Sequence, residues 1–167
     1  YSNRFCRKPW TFVEVHTDGN VYNCCPGWVT KPIGNILEQT WGDVWNGKVS
    51  QEYRQSMIDS SFKNCIEKNC SLLLSDKLPK GSPIFEKDDL DILWRKFKLV
   101  DDTGPLVVNF CYDRSCNLSC PSCRDELVMN SPKSYEWKNI EKIHKITIEE
   151  IIKDAYRLYI TGTGDPF

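Results

Sequence analysis

The chain has 167 residues, 40% of them hydrophobic, with six tryptophans and a formal net charge of −1. That is enough apolar material for one compact domain or two small ones, and the balanced charge gives no broad attraction to nucleic acid or acidic membranes. The longest apolar runs, "PLVVNF" and "SLLL", fall well short of the ~20 residues of a membrane span, and no secretory signal opens the sequence, so a cytoplasmic protein is expected.

The chain begins at Tyr1 rather than Met, and a piece of a longer protein is the expectation. Its nine cysteines are an odd number for a secreted disulfide scaffold. Adjacent Cys24 and Cys25 are awkward partners for one another. Clustered thiols in a reduced compartment point instead to metal.

Three regions separate along the chain. The first, 1–75, contains Cys6, Cys24, Cys25, Cys65 and Cys70. Its "TFVEVHTDGNVYNCC" reads as a hairpin, with strands over Phe12–His16 and Asn20–Cys24. Asp18-Gly19 between them suits a type I′ turn, which needs positive φ at both central residues. After "PIGN", the run "ILEQTWGDVWNGKVSQEYRQSMI" predicts two short helices, with Trp41 and Trp45 on one face. The second region, 76–104, carries Pro79, Gly81, Ser82 and Pro83 and charges of mixed sign. It reads as a linker with a short helix around 88–97.

The third region, 105–167, starts with "PLVVNF", an apolar run suited to a buried strand, and leads into "CNLSCPSC". A polar loop of about 23 residues follows it. Then "TIEEIIKDAYR" predicts a helix capped by Thr147, with Glu150 completing a capping box. Ile148, Ile151, Ile152 and Ala155 form its buried stripe. "LYIT" is a second strand. Strand, helix and strand make a βαβ unit, so this part of the sheet should be parallel.

Cys116, Cys120 and Cys123 fall in the loop just past the first strand of that unit, the edge where parallel α/β folds bind ligands. Three closely spaced thiolates can hold three irons of a four-iron four-sulfur cluster, leaving the fourth iron open to a cofactor or substrate. Zinc is the competing reading, because Cys120-x2-Cys123 alone suits a zinc knuckle. A closed zinc site needs a fourth ligand, however. Neither His16 nor His144 has knuckle spacing, and Cys111 is the nearest candidate. Cys111 ends a buried strand, so we assign it to packing.

At this point the sequence resembles the radical S-adenosylmethionine enzymes, whose C-x3-C-x-φ-C signature the three cysteines match. "TGTGDP" (161–166) stands where that family carries its glycine motif. The resemblance implies an α/β fold that begins a partial (β/α)6 barrel. It implies that Cys116, Cys120 and Cys123 hold the catalytic cluster. Gly162, Thr163, Gly164, Asp165 and Ser122 would border S-adenosylmethionine. Ser122 replaces a usual aromatic residue and Asp165 a usual glutamate. The implied chemistry is reductive cleavage of S-adenosylmethionine to a 5′-deoxyadenosyl radical, with electrons from a donor such as flavodoxin or ferredoxin.

The first region is similar to the SPASM domain, an auxiliary iron–sulfur module. Cys6-x12-Gly19-x4-Cys24 fits its opening, and "PIGNILEQTWGDVWN" looks like its middle segment. The resemblance implies a small α+β cysteine-rich domain with one auxiliary four-iron cluster on Cys6, Cys24, Cys65 and Cys70. Cys25 is the alternative to Cys24, and a four-cysteine zinc site is the competing reading. SPASM domains accompany enzymes that modify peptides, so the implied substrate is a peptide or protein. Alternatives are a small metabolite or sugar, or a non-catalytic zinc-binding interaction module. A nucleic-acid substrate is disfavoured by the neutral charge.

Overall fold

The computed structural model describes residues 4–79, 98–118, 120–122 and 126–160. The expected helix around 88–97 lies outside them, as do Cys123 and the glycine motif with Gly162, Thr163, Gly164 and Asp165. The architecture is mixed α and β around one five-stranded sheet. In chain order the elements are α1 (Lys8–Thr11), β1 (Phe12–His16), β2 (Asn20–Tyr22), β3 (Gly34–Asn35), α2 (Trp41–Asn46), α3 (Lys48–Ile58), α4 (Ser71–Leu74), β4 (Val107–Cys111), α5 (Trp137–Ile146) and β5 (Arg157–Tyr159). Short 3-10 turns cover Pro26–Trp28 and Glu67–Asn69. Among the described residues, no helix is long and apolar enough to cross a membrane.

The strand order is β3-β2-β1-β4-β5. β1, β2 and β3 pair antiparallel, whereas β1 with β4 and β4 with β5 are parallel. The parallel β4–α5–β5 unit matches the expectation. Three strands therefore come from the first region and two from the third. They join through a five-residue register in which Glu14 faces Asn109 and His16 faces Cys111.

The hairpin forms where Asp18-Gly19 placed it, but its turn differs. Gly19 has φ 82°, while neither Thr17 nor Asp18 is left-handed. The Gly19 N–H donates to His16 O at 2.9 Å. A three-residue loop of this kind, with a single left-handed glycine closing it, replaces the two-residue type I′ turn. A Cβ on Gly19 would come within 2.6 Å of Asn35 Oδ1 and 2.7 Å of Leu37 Cγ.

Alternation splits the sheet into two unlike faces. Val13, Val15, Val21 and Val108 are fully buried on one face, under Ile140, Ile143 and Ile151. Glu14, His16, Asn109 and Cys111 take the other.

The helix expected to begin at Thr147 begins ten residues earlier, and the polar loop is correspondingly shorter. α5 runs on through a π turn (Thr147–Ile151) into a 3-10 turn (Ile152–Asp154). Thr147 is not a cap. It is buried inside the helical run, and its Oγ1 donates back to Ile143 O at 2.7 Å. With the longer frame the inward stripe is Ile140, Ile143, Thr147 and Ile151, which leaves Ile148 exposed.

α2 and α3 are as expected. Thr40 caps α2, its Oγ1 accepting from the Asp43 N–H, and the rings of Trp41 and Trp45 stack at 5.4 Å. Under α3 lies Arg54, with no solvent exposure. Its guanidinium stacks 4.5 Å from the Trp45 ring and donates to Pro9 O, Asn46 Oδ1 and Leu99 O. Desolvation lowers its pKa to about 10, opposed by the charge of Asp101. Trp45 Nε1 donating to Thr103 O and Asn46 Nδ2 donating to Asp101 O complete the attachment of residues 98–104 to the helices.

Candidate metal centre

Three stretches of chain deliver four thiols to one pocket. Cys6 stands just before α1, whose Pro9 suits a first helical turn, and a Phe5–Trp10 ring stack at 5.4 Å anchors that stretch. Cys24 follows β2. The segment after it is bonded to the third stretch: Thr30 N–H to Asn64 O at 3.1 Å, Ile66 N–H to Trp28 O at 2.8 Å, and Asn69 Nδ2 to Gly27 O at 2.7 Å. These bonds bring Cys65 beside Cys24. The Glu67–Asn69 turn then carries the chain round to Cys70, whose N–H donates to Ile66 O and Glu67 O.

Cys6, Cys24, Cys65 and Cys70 all line this pocket, with Met57, Phe62, Leu73 and Leu78 forming apolar walls. Cys25 is not in its lining; it acts electrostatically on Cys111 instead. Four thiols among apolar walls form a donor set that suits an iron–sulfur cluster, with a four-cysteine zinc ion as the competing occupant.

Burial pushes the Cys6 thiol up to about 11, despite a hydrogen bond from the Lys8 backbone N–H. Burial, joined by the charges of Cys6, Cys24 and Cys70, pushes Cys65 up to about 12. Cys24 is raised by burial as well, but Lys8 opposes the shift. The Lys8 ammonium donates to Cys24 Sγ at 3.5 Å and lies over the rings of Phe12 (4.8 Å) and Trp28 (5.3 Å). A cation beside thiols in an apolar pocket favours their ionised, metal-binding form. Lys8 was not singled out from the sequence, although its place two residues after Cys6 is a usable signal.

The second expected site lies past the C-terminal end of β4. Tyr112 OH is 2.7 Å from His144 Nδ1 on α5. Asp113 accepts from the Ser115 N–H (2.8 Å) and from Asn130 Nδ2 (2.9 Å). Burial opposes ionisation of Asp113, but those hydrogen bonds outweigh it and hold the carboxyl below its ordinary value. The loop is thus tied at its base. Cys116 is buried, its N–H donating to Val128 O at 2.9 Å and its Sγ accepting from the Leu118 N–H at 3.4 Å. Cys120 and Ser122 are exposed. Two triad thiols thus sit on the expected loop; the third, Cys123, is outside the described residues.

Cys111, read from the sequence as packing, is buried but not among apolar groups alone. Desolvation, Glu14 and Cys25 push its thiol up to about 12.

Residues 6–71 match the family model of the SPASM iron–sulfur cluster-binding domain, which supports a SPASM-type domain in this part of the chain. No curated protein and no solved structure matches the chain.

Proposed function

We propose that the chain belongs to a radical S-adenosylmethionine enzyme acting on a peptide or protein, with residues 6–71 as its auxiliary iron–sulfur domain. The observation that carries this reading is the SPASM match over a pocket bordered by four cysteine thiols. It is supported by the cysteine-rich loop at the C-terminal end of β4 in a parallel βαβ unit. SPASM domains typically accompany such enzymes.

Cys6, Cys24, Cys65 and Cys70 would hold the auxiliary cluster; Cys116, Cys120 and Cys123 would hold the catalytic one. The chemistry supplied by the catalytic cluster, when bound, is one-electron reductive cleavage of S-adenosylmethionine. The chain's own residues do the holding. The Asp113–Ser115–Asn130 hydrogen bonds fix the root of the triad loop, and the Leu118 N–H donates to Cys116 Sγ and helps orient it. In the auxiliary pocket the apolar walls exclude water, and Lys8 offsets negative charge on Cys24.

Anaerobic reconstitution of the full chain tests this. About eight irons per chain are expected, falling to about four in Cys65→Ala and likewise to about four in Cys116→Ala or Cys120→Ala. The electron paramagnetic resonance signal that Cys116→Ala removes should shift on adding S-adenosylmethionine. A wild-type chain whose iron content is indifferent to Cys116 and Cys120, or a colourless two-zinc protein, overturns the proposal.

A further inference from the structure

We propose a third metal site, separate from both cysteine groups. It is a mononuclear zinc site on the polar face of the sheet, formed by the Glu14 carboxylate, the His16 imidazole and the Cys111 thiolate.

Sheet geometry brings the three together. Glu14 and His16 are two residues apart on β1, hence on one face, and the parallel register sets Cys111 opposite His16. Their ligand atoms all lie within 4.8 Å of one another. His16 Nε2 and Glu14 Oε2 are 3.3 Å apart. With bonds near 2.0 Å, the edge of a tetrahedral zinc site is also roughly 3.3 Å between nitrogen and oxygen, and roughly 3.6 Å from either to sulfur. One pair already has the spacing of bound ligands, and the thiol needs to close by no more than roughly 1.2 Å.

The charge count points the same way. The Glu14 side chain is 13% exposed and Cys111 is 3% exposed. Among the described residues, His16 is the one ion-pair partner of Glu14. A carboxylate so enclosed favours a cation, and a carboxylate with a thiolate balances a divalent one. One imidazole, one thiolate and one carboxylate form a mixed N, S and O set that suits zinc.

A second observation comes from Asn109, which is opposite Glu14 in the register. Its Nδ2 donates to Glu14 Oε1 at 3.3 Å, leaving Oε2, the oxygen turned to His16, for a metal. That is the arrangement in which an outer residue orients a ligating carboxylate. Asn109 Oδ1 is buried with no hydrogen-bond partner. A simple His16–Glu14 pair leaves that acceptor unexplained. A metal at this place, with a bound water as fourth ligand, supplies it with a donor.

The test uses the full chain with its iron–sulfur sites loaded anaerobically, so that the pocket cysteines are occupied. The protein is dialysed against buffered Zn²⁺, metal content is measured by mass spectrometry, and the zinc shell is read by X-ray absorption. One zinc per chain is expected, with one sulfur at about 2.3 Å and nitrogen or oxygen at about 2.0 Å. His16→Gln and Cys111→Ser should each weaken zinc binding about 100-fold with iron content unchanged. Should Cys111→Ser fail to fold, His16→Gln, at a partly exposed position, decides alone. No zinc uptake, a shell of four sulfurs, or zinc binding indifferent to His16→Gln overturns the proposal.

Discussion

Lys8→Met is expected to lower the reduction potential of the cluster proposed for the pocket of Cys6, Cys24, Cys65 and Cys70. The ammonium is 3.5 Å from Cys24 Sγ, which puts it roughly 6 Å from the centre of a cluster held there. A unit charge at that distance is worth about 3 kcal/mol at an effective dielectric constant near 20, and under about 1 kcal/mol in water. Lys8 is half-buried, so an intermediate value of about 1–2 kcal/mol applies. The reduced cluster carries one more negative charge, and the cation stabilises it preferentially. For a one-electron couple about 1.4 kcal/mol corresponds to about 59 mV, which gives a fall of about 40–90 mV. Anaerobic redox titration followed by electron paramagnetic resonance measures it. Lys8→Arg keeps the charge and should stay within about 20 mV of the parent. If Lys8→Met retains its iron and its potential moves by less than about 20 mV, the electrostatic reasoning is wrong.

Arg54→Met should cost about 3–5 kcal/mol of stability, because it removes a buried cation and strips the donors from Pro9 O and Leu99 O. For a chain of this size the melting temperature should drop by about 10 °C, and a loss under about 1 kcal/mol in denaturant titration would count against the assigned role. Gly19→Ala forces a left-handed residue into contact with Asn35 and Leu37, so a loss of about 1–3 kcal/mol is expected in the same titration. The metal-free protein should be weakened by alkali. Cys6 and Cys65 are raised by folding from an ordinary value near 9 to about 11 and about 12. The stability they confer is therefore complete below pH 9 and is lost as pH rises through 11 and 12. Metal-loaded protein, its thiolates already formed, should keep its denaturation midpoint between pH 9 and 11 while the metal-free form loses stability, and equal behaviour of the two forms over that range would refute this.

What the sequence made legible was mostly local. Asp18-Gly19 announced the hairpin, the four-residue spacing of Trp41 and Trp45 announced their stack, and "PLVVNF" announced β4. The turn type was missed because Asp-Gly serves both two- and three-residue loops, and only the register separates them. α5 was missed for a different reason. "TIEE" carries the chemistry of a helix start, while Ile140 and Ile143 stand among charged residues that read as loop. Spacings of three, four and four from Ile140 to Ile151 were the available clue. Of the sites, Cys6, Cys24, Cys65 and Cys70 could be grouped by resemblance, although nothing local excluded Cys25. Glu14, His16, Asn109 and Cys111 could not, because their meeting depends on a parallel pairing between residues 95 positions apart.

That pairing has a consequence for how the protein is made and taken apart. β1 ends up between β2 and β4, so its second edge finds hydrogen-bond partners only after synthesis has passed residue 111. Until then a nascent chain displays a bare strand edge, the kind of template on which other chains stack. Slow, translation-dependent maturation follows. Excising residues 1–75 as an independent unit would make that exposed edge permanent.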